Sequence, residues 1–400
     1  MRVAHLTTMD LALRYLLLPQ LEAVLDAGGD AVGISGRSDC VEELERAGVR
    51  HLELKSSTRG SNLFADIRSA RELWKILRRE KVDVLHTHNP KPGLYGRVLG
   101  RLAGVPIVIN TVHGLYATED DSLVKRVLVY GLEGFASRFS DAELVQSAED
   151  LALINRLHLA PQGRSRLLGN GIDVRRFDPQ GVTADEGRKV RASIGIPEDK
   201  IVVGMVGRLV AEKGYPELFE AASLLDDRFV ILTSGHADPQ KRDALPPSDI
   251  ERARSRGVLF LGMRPDMERV YRAMDIFVLP SHREGVPRAA MEAAAMGLPI
   301  VATNIRGCRE VVSDGANGLL VPVGDAPALA KAIRKLGDDA SLRGAMGKAG
   351  RQVARRRFDE RQVVQIVLET YAQVASRKGL AWEGKPVSAS GTETAEGTAP

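Results

Sequence analysis

The sequence has 400 residues, of which 44% are hydrophobic and 27% are charged. These proportions are typical of globular proteins and exclude collagen-like, disulfide-stapled and wholly disordered chains. The net charge is only +4 and aromatic residues make up 4% of the chain, so the composition argues against a dedicated nucleic-acid binder. At about 150 residues per domain, the length indicates two to three domains.

The first part of the chain alternates short apolar runs with amphipathic stretches. We predict strands at 3–6, 31–35, 51–54, 82–85 and 107–110, and helices at 11–27, 67–80 and 93–102. Apolar runs of four to eight residues are typical of strands buried on both faces. Their alternation with helices predicts a parallel sheet with right-handed crossovers.

A second series of the same kind follows a turn-rich segment. We predict strands at 201–206, 229–233, 258–261, 276–279 and 299–302, and a helical region at 326–378 divided at Gly337 and Gly344. The domains expected are 1–172, a linker at 173–186, and 187–382, whose last helix would pack back on the first domain. Residues 383–400 lack apolar periodicity and are expected to be disordered.

Cysteine, histidine and hydropathy patterns limit the remaining possibilities. Cys40 and Cys308 are too few for a disulfide framework or a zinc site. His86 and His88 suggest a metal pair, but no further ligand has a fitting spacing, so we predict no metal.

No apolar run reaches the ~18 residues of a membrane span, and the N-terminus lacks signal-peptide features. We therefore expect a cytoplasmic protein.

One motif follows the predicted strand at 276–279. A loop leads into a helix expected to begin near Pro287, because proline suits the first helical position. The amides of that helix start, including that of Arg288, would form an anion site. Glu284 lies in the loop and Glu292 lies further along the helix, where a carboxylate could bind the vicinal diol of a ribose. A loop acid and a surface acid are the alternative interpretation.

A second motif follows the predicted strand at 201–206. Gly207-Arg208 and Lys213-Gly214 place two cations at the end of a strand, before a helix expected from about Pro216. Such cations could bind a diphosphate, or they could be two surface cations in a turn. The dinucleotide glycine fingerprint and the P-loop are both absent.

Together these motifs resemble the retaining glycosyltransferases of family 4. Glu284 and Glu292 match the E-x7-E motif of that family, Gly207 to Gly214 matches its phosphate loop, and Asn170-Gly-Ile-Asp173 resembles its interdomain segment. The resemblance covers about residues 1–375. It implies the GT-B fold, in which two Rossmann-like doubly wound parallel-sheet domains face each other across a cleft. The C-terminal domain would bind a nucleotide sugar and the N-terminal domain the acceptor.

The resemblance also implies the site residues. The expected catalytic residues are His113, Glu284, Arg208 and Lys213. The expected donor-binding residues are Gly207, Arg208, Lys213, Met263, Arg264, Gly285, Val286, Pro287, Arg288 and Glu292. Arg208 and Lys213 would hold the diphosphate, Glu292 the ribose and Glu284 the transferred sugar, while the loop at 262–264 would bind the base. No metal cofactor is expected, because cations and helix amides can neutralise a departing diphosphate.

Other segments resemble a bacterial subgroup. Residues 86–97, 283–288 and 305–310 resemble enzymes of capsule, exopolysaccharide and lipid-linked oligosaccharide assembly, which act on undecaprenyl diphosphate carriers at the inner face of the membrane. Arg14 and Lys91 are the expected acceptor residues. With Arg59 and the basic helix at 68–81 they could also face an anionic membrane. The loop at 7–14 lacks the Gly-Gly pair common in the family, which leaves acceptor placement there open.

The predicted function is therefore transfer of a sugar, with retention, from a UDP-sugar to a hydroxyl of a lipid-linked glycan in cell-surface polysaccharide synthesis. The expected partners are the nucleotide sugar, the glycan acceptor and the membrane surface. A family 4 enzyme with a small soluble acceptor is the nearest alternative. A nucleotide-sugar epimerase is a further one, which the arrangement of Glu284 and Glu292 argues against.

Overall fold

The computed structural model describes residues 1–57, 63–88, 90–118, 121–238, 241 and 243–382. The tail predicted to be disordered, 383–400, and Arg59 lie outside the described residues. The chain divides into two compact units. Unit 1 comprises Met1–Thr111, Tyr130–Glu143 and Val364–Pro400, and unit 2 comprises Val112–Val129 and Leu144–Val363. The domain limits given above stay a prediction.

The strands form two sheets. The first sheet has seven strands in the order β3-β2-β1-β4-β5-β6-β7, and the second has six in the order β10-β9-β8-β11-β12-β13. The first seven strands are β1 Arg2–Met9, β2 Asp30–Gly36, β3 Arg50–Glu53, β4 Val84–His88, β5 Ile107–Val112, β6 Ala142–Val145 and β7 Ser165–Leu167. The other six are β8 Ile201–Val206, β9 Phe229–Ser234, β10 Leu259–Phe260, β11 Ile276–Leu279, β12 Ile300–Thr303 and β13 Gly318–Val321.

Helices connect these strands. Those before residue 160 are α1 Asp10–Ala12, α2 Leu18–Asp26, α3 Val41–Arg46, α4 Leu63–Glu80, α5 Pro90–Leu102, α6 Leu123–Ala136 and α7 Ala148–Arg156, with a π-helical segment at Leu13–Leu17. The later ones are α8 Ala184–Ser193, α9 Tyr215–Ser223, α10 Pro247–Ser255, α11 Met267–Arg272, α12 Arg288–Ala295, α13 Arg306–Arg309, α14 Ala326–Asp338, α15 Ala340–Arg357 and α16 Glu360–Arg377. Within the described part of the chain, no helix is both long and apolar enough to cross a bilayer.

The second sheet is buried on both faces, which explains why its strands are continuous apolar runs. Successive residues of a strand point to opposite faces. In β11, Phe277 packs in one hydrophobic core with α12, while Ile276 and Val278 pack in another with α9 and α14. All five strand pairs of this sheet are parallel, as its β–α alternation predicts.

The strand order of the second sheet defines where a ligand can bind. From β8 the chain proceeds to β9 and β10 on one side, and it then returns to place β11, β12 and β13 on the other side. The carboxyl ends of β8 and β11 therefore lie at the topological switch point. Ligands of open parallel sheets bind in the crevice outside such a point. Both sequence motifs described above follow these two strands.

The terminal helices differ from the prediction. Gly337 and Gly344 do not divide them, since both lie inside helices, α14 and α15. The break falls at Asp339, whose carboxylate accepts a hydrogen bond from the amide of Leu342 and caps α15. A capping carboxylate satisfies an amide that would otherwise lack a partner at a helix start. A second break follows Arg357, before α16 begins at Glu360.

Candidate active site

The switch point brings together two residues of the separate motifs. Lys213 Nζ donates a hydrogen bond to Glu284 Oε1 at 2.6 Å, and the hydroxyl of Ser281 donates to the same oxygen at 2.7 Å. Gly214 makes this approach possible, because its φ is +83° and a Cβ there would lie 2.0 Å from the carbonyl oxygen of Pro280. Only glycine fits both conditions. The structure thus places a cation and a mostly buried carboxylate side by side.

The second predicted cation, Arg208, also has a carboxylate partner. Arg208 Nη1 lies 3.0 Å from Asp238 Oδ2, and the Asp238 side chain is only 5% exposed. The preceding backbone is fixed by Tyr215, whose buried hydroxyl donates to the carbonyl oxygen of Gly207 at 2.8 Å. The sequence analysis did not identify Asp238, although an acid shortly after the end of a predicted strand could have indicated a site residue. The site therefore presents two cations, each held in place by an acid.

The loop after β11 leads directly into helix α12. Pro287 caps the helix with an extended backbone and Arg288 is the first helical residue, one position later than predicted. The first amides of a helix have no partner within it, and together with the helix dipole they favour an anion. Asn170 holds the loop by donating from Nδ2 to the carbonyl oxygen of Val286 at 2.9 Å. Arg288 Nη1 donates to the carbonyl oxygen of Gly171 at the same distance.

Glu292 lies on α12, and a side chain packed against the helix holds its carboxylate in place. It does not lie on an open surface. The hydroxyl of Tyr271 donates to Glu292 Oε2 at 2.9 Å. Burial raises the pKa of the Glu292 carboxyl, against the opposing effects of the nearby Arg288 cation and the Tyr271 hydrogen bond. One carboxylate oxygen is thus fixed by Tyr271, a residue that sequence reasoning did not single out. This arrangement suits an acid that orients a diol.

His113 follows β5 and belongs to unit 2 together with the loop at 284–287. Its backbone contacts Gly285 so closely that a Cβ on Gly285 would lie 2.0 Å from the carbonyl oxygen of His113. Desolvation lowers the pKa of His113 to about 4, although a hydrogen bond with the side chain of Gln146 opposes the shift. The imidazole is therefore neutral at physiological pH, able both to donate and to accept a hydrogen bond.

The predicted base-binding loop follows β10. Gly262 has a φ of +66°, and its carbonyl oxygen accepts a hydrogen bond from the amide of Gly235 at 2.9 Å. The side chain of Met263 is exposed, whereas Arg264 makes a bidentate contact with Asp266 at 2.7 and 2.8 Å. The loop is thus anchored at the carboxyl ends of β9 and β10. Its assignment to base binding stays a prediction.

The two predicted acceptor residues lie in unit 1, and each pairs with an acid. Arg14 contacts Glu43, and Lys91 Nζ lies 2.8 Å from Asp66 Oδ1. These acids offset the positive charges of Arg14 and Lys91. The contacts that the structure shows for Arg14 and Lys91 support neither the acceptor role nor the membrane role.

A residue of the 86–97 motif proves to be structural. Arg97 is 1% exposed, and its guanidinium contacts Glu143 at 2.9 Å and Glu133 at 2.8 Å. Asn110 donates from Nδ2 to the other oxygen of Glu143 at 2.8 Å. Burial raises the pKa of Glu143, and the Arg97 cation opposes that effect. A buried, fully paired arginine of this kind fixes the packing of α5 and α6 on the sheet.

The predicted histidine pair has a third member that the sequence did not reveal. His5 and His86 are register partners on the parallel strands β1 and β4, so their side chains and that of His88 share one face. Ring nitrogens of the three lie within 4.8 Å of one another. The rings form a chain of hydrogen bonds: His86 contacts Thr111 at 2.7 Å, and Tyr371 contacts both His86 and His5 at 2.6 and 3.1 Å. His5 contacts His88 at 3.0 Å, so a metal ion would have to displace these partners.

Comparisons with known proteins identify the family of this chain. A family model described as glycosyl transferases group 1 matches residues 187–353, and a glycosyl transferase 4-like domain matches residues 20–171. The Escherichia coli UDP-Gal:alpha-D-GlcNAc-diphosphoundecaprenol alpha-1,3-galactosyltransferase is 31% identical, over 85% of this chain and 89% of its own. D-inositol 3-phosphate glycosyltransferase of Corynebacterium glutamicum is 34% identical over 71% of each chain.

Solved structures extend the match to the fold. The crystal structure of Anabaena HepE in complex with UDP-glucose aligns with a TM-score of 0.77 at 19% identity, covering 93% of this chain and all of that one. At this identity the likeness shows the fold alone. With the two matched domains and the Escherichia coli relative, it establishes that the chain is a glycosyltransferase of the GT-B fold, belonging to the group 1 glycosyl transferases.

Proposed function

We propose that this glycosyltransferase moves a sugar from a UDP-sugar to a hydroxyl of a glycan carried on undecaprenyl diphosphate, at the inner face of the cell membrane. The observation that carries the donor half is the convergence of Lys213, Glu284 and the start of α12 at one switch point. The acceptor half is supported by the name of the Escherichia coli relative, which specifies a diphosphoundecaprenol acceptor and a UDP-galactose donor.

In this proposal the leaving diphosphate is stabilised by positive charges that the fold has already positioned before the reaction. Lys213 and Arg208 supply two cations, and the free amides at the start of α12 supply partial positive charge. Glu292, oriented by Tyr271, binds the ribose hydroxyls. The two cations and the helix amides act at the oxygen atoms where negative charge develops as the bond to the sugar breaks, so the proposed reaction requires no resident metal.

We propose retention of configuration by a front-face reaction. The sequence identifies no nucleophile for the opposite face of the sugar, and Glu284 already accepts hydrogen bonds from Lys213 and Ser281 on one oxygen. The departing diphosphate would then help to remove the proton of the acceptor hydroxyl. His113, neutral because of its lowered pKa, would hydrogen-bond the donor sugar near the reacting carbon.

A soluble acceptor is the second candidate. The Corynebacterium glutamicum relative, whose name gives D-inositol 3-phosphate as the acceptor, has the higher identity of the two, 34% against 31%. Its match covers less of this chain, 71% against 85%. The donor site would be the same in both cases, so only the acceptor distinguishes them.

The experiment measures nucleotide release from a panel of UDP-sugars, with an undecaprenyl-diphosphate-linked sugar or with inositol phosphate as acceptor. We expect release to require the lipid acceptor, and the anomeric configuration of the product, read by NMR, to match that of the donor. Release only with inositol phosphate would support the soluble alternative. Conversion of the donor without any acceptor would support an epimerase.

A matched pair of variants tests the site itself. Lys213→Ala should lower kcat/KM about a hundredfold, a loss of roughly 2.7 kcal/mol of transition-state stabilisation. Lys189→Ala is the control, because Lys189 also pairs with an acid, Asp185, but lies on exposed helix α8. A change of less than about threefold for Lys213→Ala would count against the assignment.

A further inference from the structure

Helix α6 presents an apolar face to the outside. Six of its side chains are large and apolar with exposures between 42% and 79%: Leu123, Val124, Val127, Leu128, Leu132 and Phe135. At 100° per residue these positions fall within one half of the helix surface. Gly131 is the remaining exposed residue on that half. A surface helix of a globular protein normally has the opposite arrangement, with its polar residues outward.

The charged residues of α6 lie away from that face. Glu133 is directed at the buried guanidinium of Arg97, which lies 2.8 Å away. Lys125 pairs with Asp121 in the preceding turn, and the Nε of Arg126 is buried. The helix therefore has an outer half without a single charge. A contiguous apolar patch of this kind marks an interaction surface.

The chemistry and size of the patch indicate its partner. A large apolar side chain offers about 200 Å² when fully exposed, so the exposures of these six side chains amount to roughly 700 Å² of apolar surface. A stable dimer needs about 800 Å² from each partner, so this face alone falls slightly short of that area. Helices that lie in a membrane interface bury such a face among lipid chains, with cations near its border. Exposed Arg138, two residues beyond the end of α6, provides one such cation.

We propose that the outer face of α6 docks onto an anionic lipid bilayer, with the helix lying in the plane of the interface. This inference deepens the proposed function, on whose lipid-linked acceptor it rests, by naming the surface that contacts the membrane. It also differs from the expectation of a basic surface at Arg14 and Lys91, since both of those residues pair with acids. Apolar area provides the attraction, and the positive charge of Arg138 strengthens it on anionic lipid.

The test is co-flotation of the full chain with vesicles of phosphatidylcholine and phosphatidylglycerol, in a 7:3 ratio. The variant Leu128→Glu/Leu132→Glu places two charges in the patch, and we expect it to bind the vesicles at least tenfold more weakly than the unmodified protein. The matched control is Leu224→Glu/Val323→Glu, because these side chains are exposed to a similar degree, 45% and 43%, outside α6. It should bind within about twofold of the unmodified protein, although it carries the same added charge.

A second variant keeps the face apolar and reports its position. In Phe135→Trp, vesicles should shift the added tryptophan emission to shorter wavelength, and brominated lipid should quench it beyond the signal of the unmodified protein. Equal vesicle binding by both double variants, or no binding by the unmodified protein, would overturn the proposal. So would a dimer in solution that the α6 variant converts to a monomer, because a second copy would then cover the face.

Failure of the docking proposal and failure of the proposed function give different results. Vesicle binding needs neither donor nor acceptor, so it can be lost in the α6 variant whether or not sugar transfer occurs. Transfer to a short-chain, water-soluble diphosphate acceptor without vesicles should be unchanged in the same variant. Loss of that reaction would show that α6 serves the active site rather than the membrane, which would also overturn the docking proposal.

Discussion

The buried histidine chain of unit 1 predicts a specific loss of stability in acid. His5 is fully buried, and desolvation lowers its pKa from about 6.5 to about 3. The unfolded chain therefore binds a proton below pH 6.5 that the folded protein does not bind until about pH 3. Stability contributed by neutral His5 is complete above pH 6.5 and is lost as the pH falls through this window.

The magnitude follows from the two pKa values. Between pH 7 and pH 5 the folded ring stays neutral while the unfolded ring becomes protonated, which costs about 2 kcal/mol at 1.36 kcal/mol per pH unit. The variant His5→Asn keeps a hydrogen-bonding amide but cannot titrate. We expect it to be less stable at pH 7, and to lose about 2 kcal/mol less than the unmodified protein between pH 7 and pH 5.

The assay is urea unfolding followed by tryptophan fluorescence, which reports on unit 1 because both tryptophans, Trp74 and Trp382, belong to it. Tyr371→Phe is the control: it removes the hydroxyl between His5 and His86, so it should destabilise unit 1 by about 2–4 kcal/mol yet keep the pH dependence. The same pH dependence in His5→Asn and in the unmodified protein would refute the reasoning.

Two further predictions concern close packing and buried charge. Arg97→Met leaves the buried carboxylate of Glu143 without its cation, so unit 1 should lose about 3–5 kcal/mol in the same urea assay, and a loss below 1 kcal/mol would contradict a structural role. Gly285→Ala would place a Cβ 2.0 Å from the carbonyl oxygen of His113, so nucleotide release should fall at least tenfold. Gly344→Ala, in open space inside α15, should leave that activity unchanged, and equal losses in both variants would refute the packing argument.

Local sequence patterns predicted the centre of the second sheet accurately. The predicted limits of β8 and β11 coincide with the observed ones, since each is a short, mostly apolar run that is followed by a turn-forming residue, Gly207 or Pro280. The pairing of Lys213 with Glu284 spans 71 positions. Motif resemblance implied that both serve the donor, but their direct contact depends on the strand order, which no local pattern contains.

The features that the sequence did not reveal depend on contacts between distant segments. Tyr271 and Asp238 contribute through hydrogen bonds to Glu292 and Arg208, respectively, which follow from how separate loops pack. The sequence analysis predicted no helix at Leu123–Ala136, and no local pattern shows that the apolar side of α6 points outward. His5 joined the other histidines only through the register of β1 on β4.

The acid partners of the two cations have a consequence for ligand selectivity. Lys213 lies against Glu284 and Arg208 against Asp238, so an anion that approaches either cation competes with a carboxylate already within hydrogen-bond distance. A single small anion such as inorganic phosphate brings no ribose or base whose contacts could offset the loss of an ion pair. A nucleoside diphosphate, the ligand proposed above, would bring two linked phosphates, a ribose and a base, whose further contacts would offset the cost of exchange. If the proposed donor site is correct, the ion pairs would therefore favour a nucleoside diphosphate over inorganic phosphate.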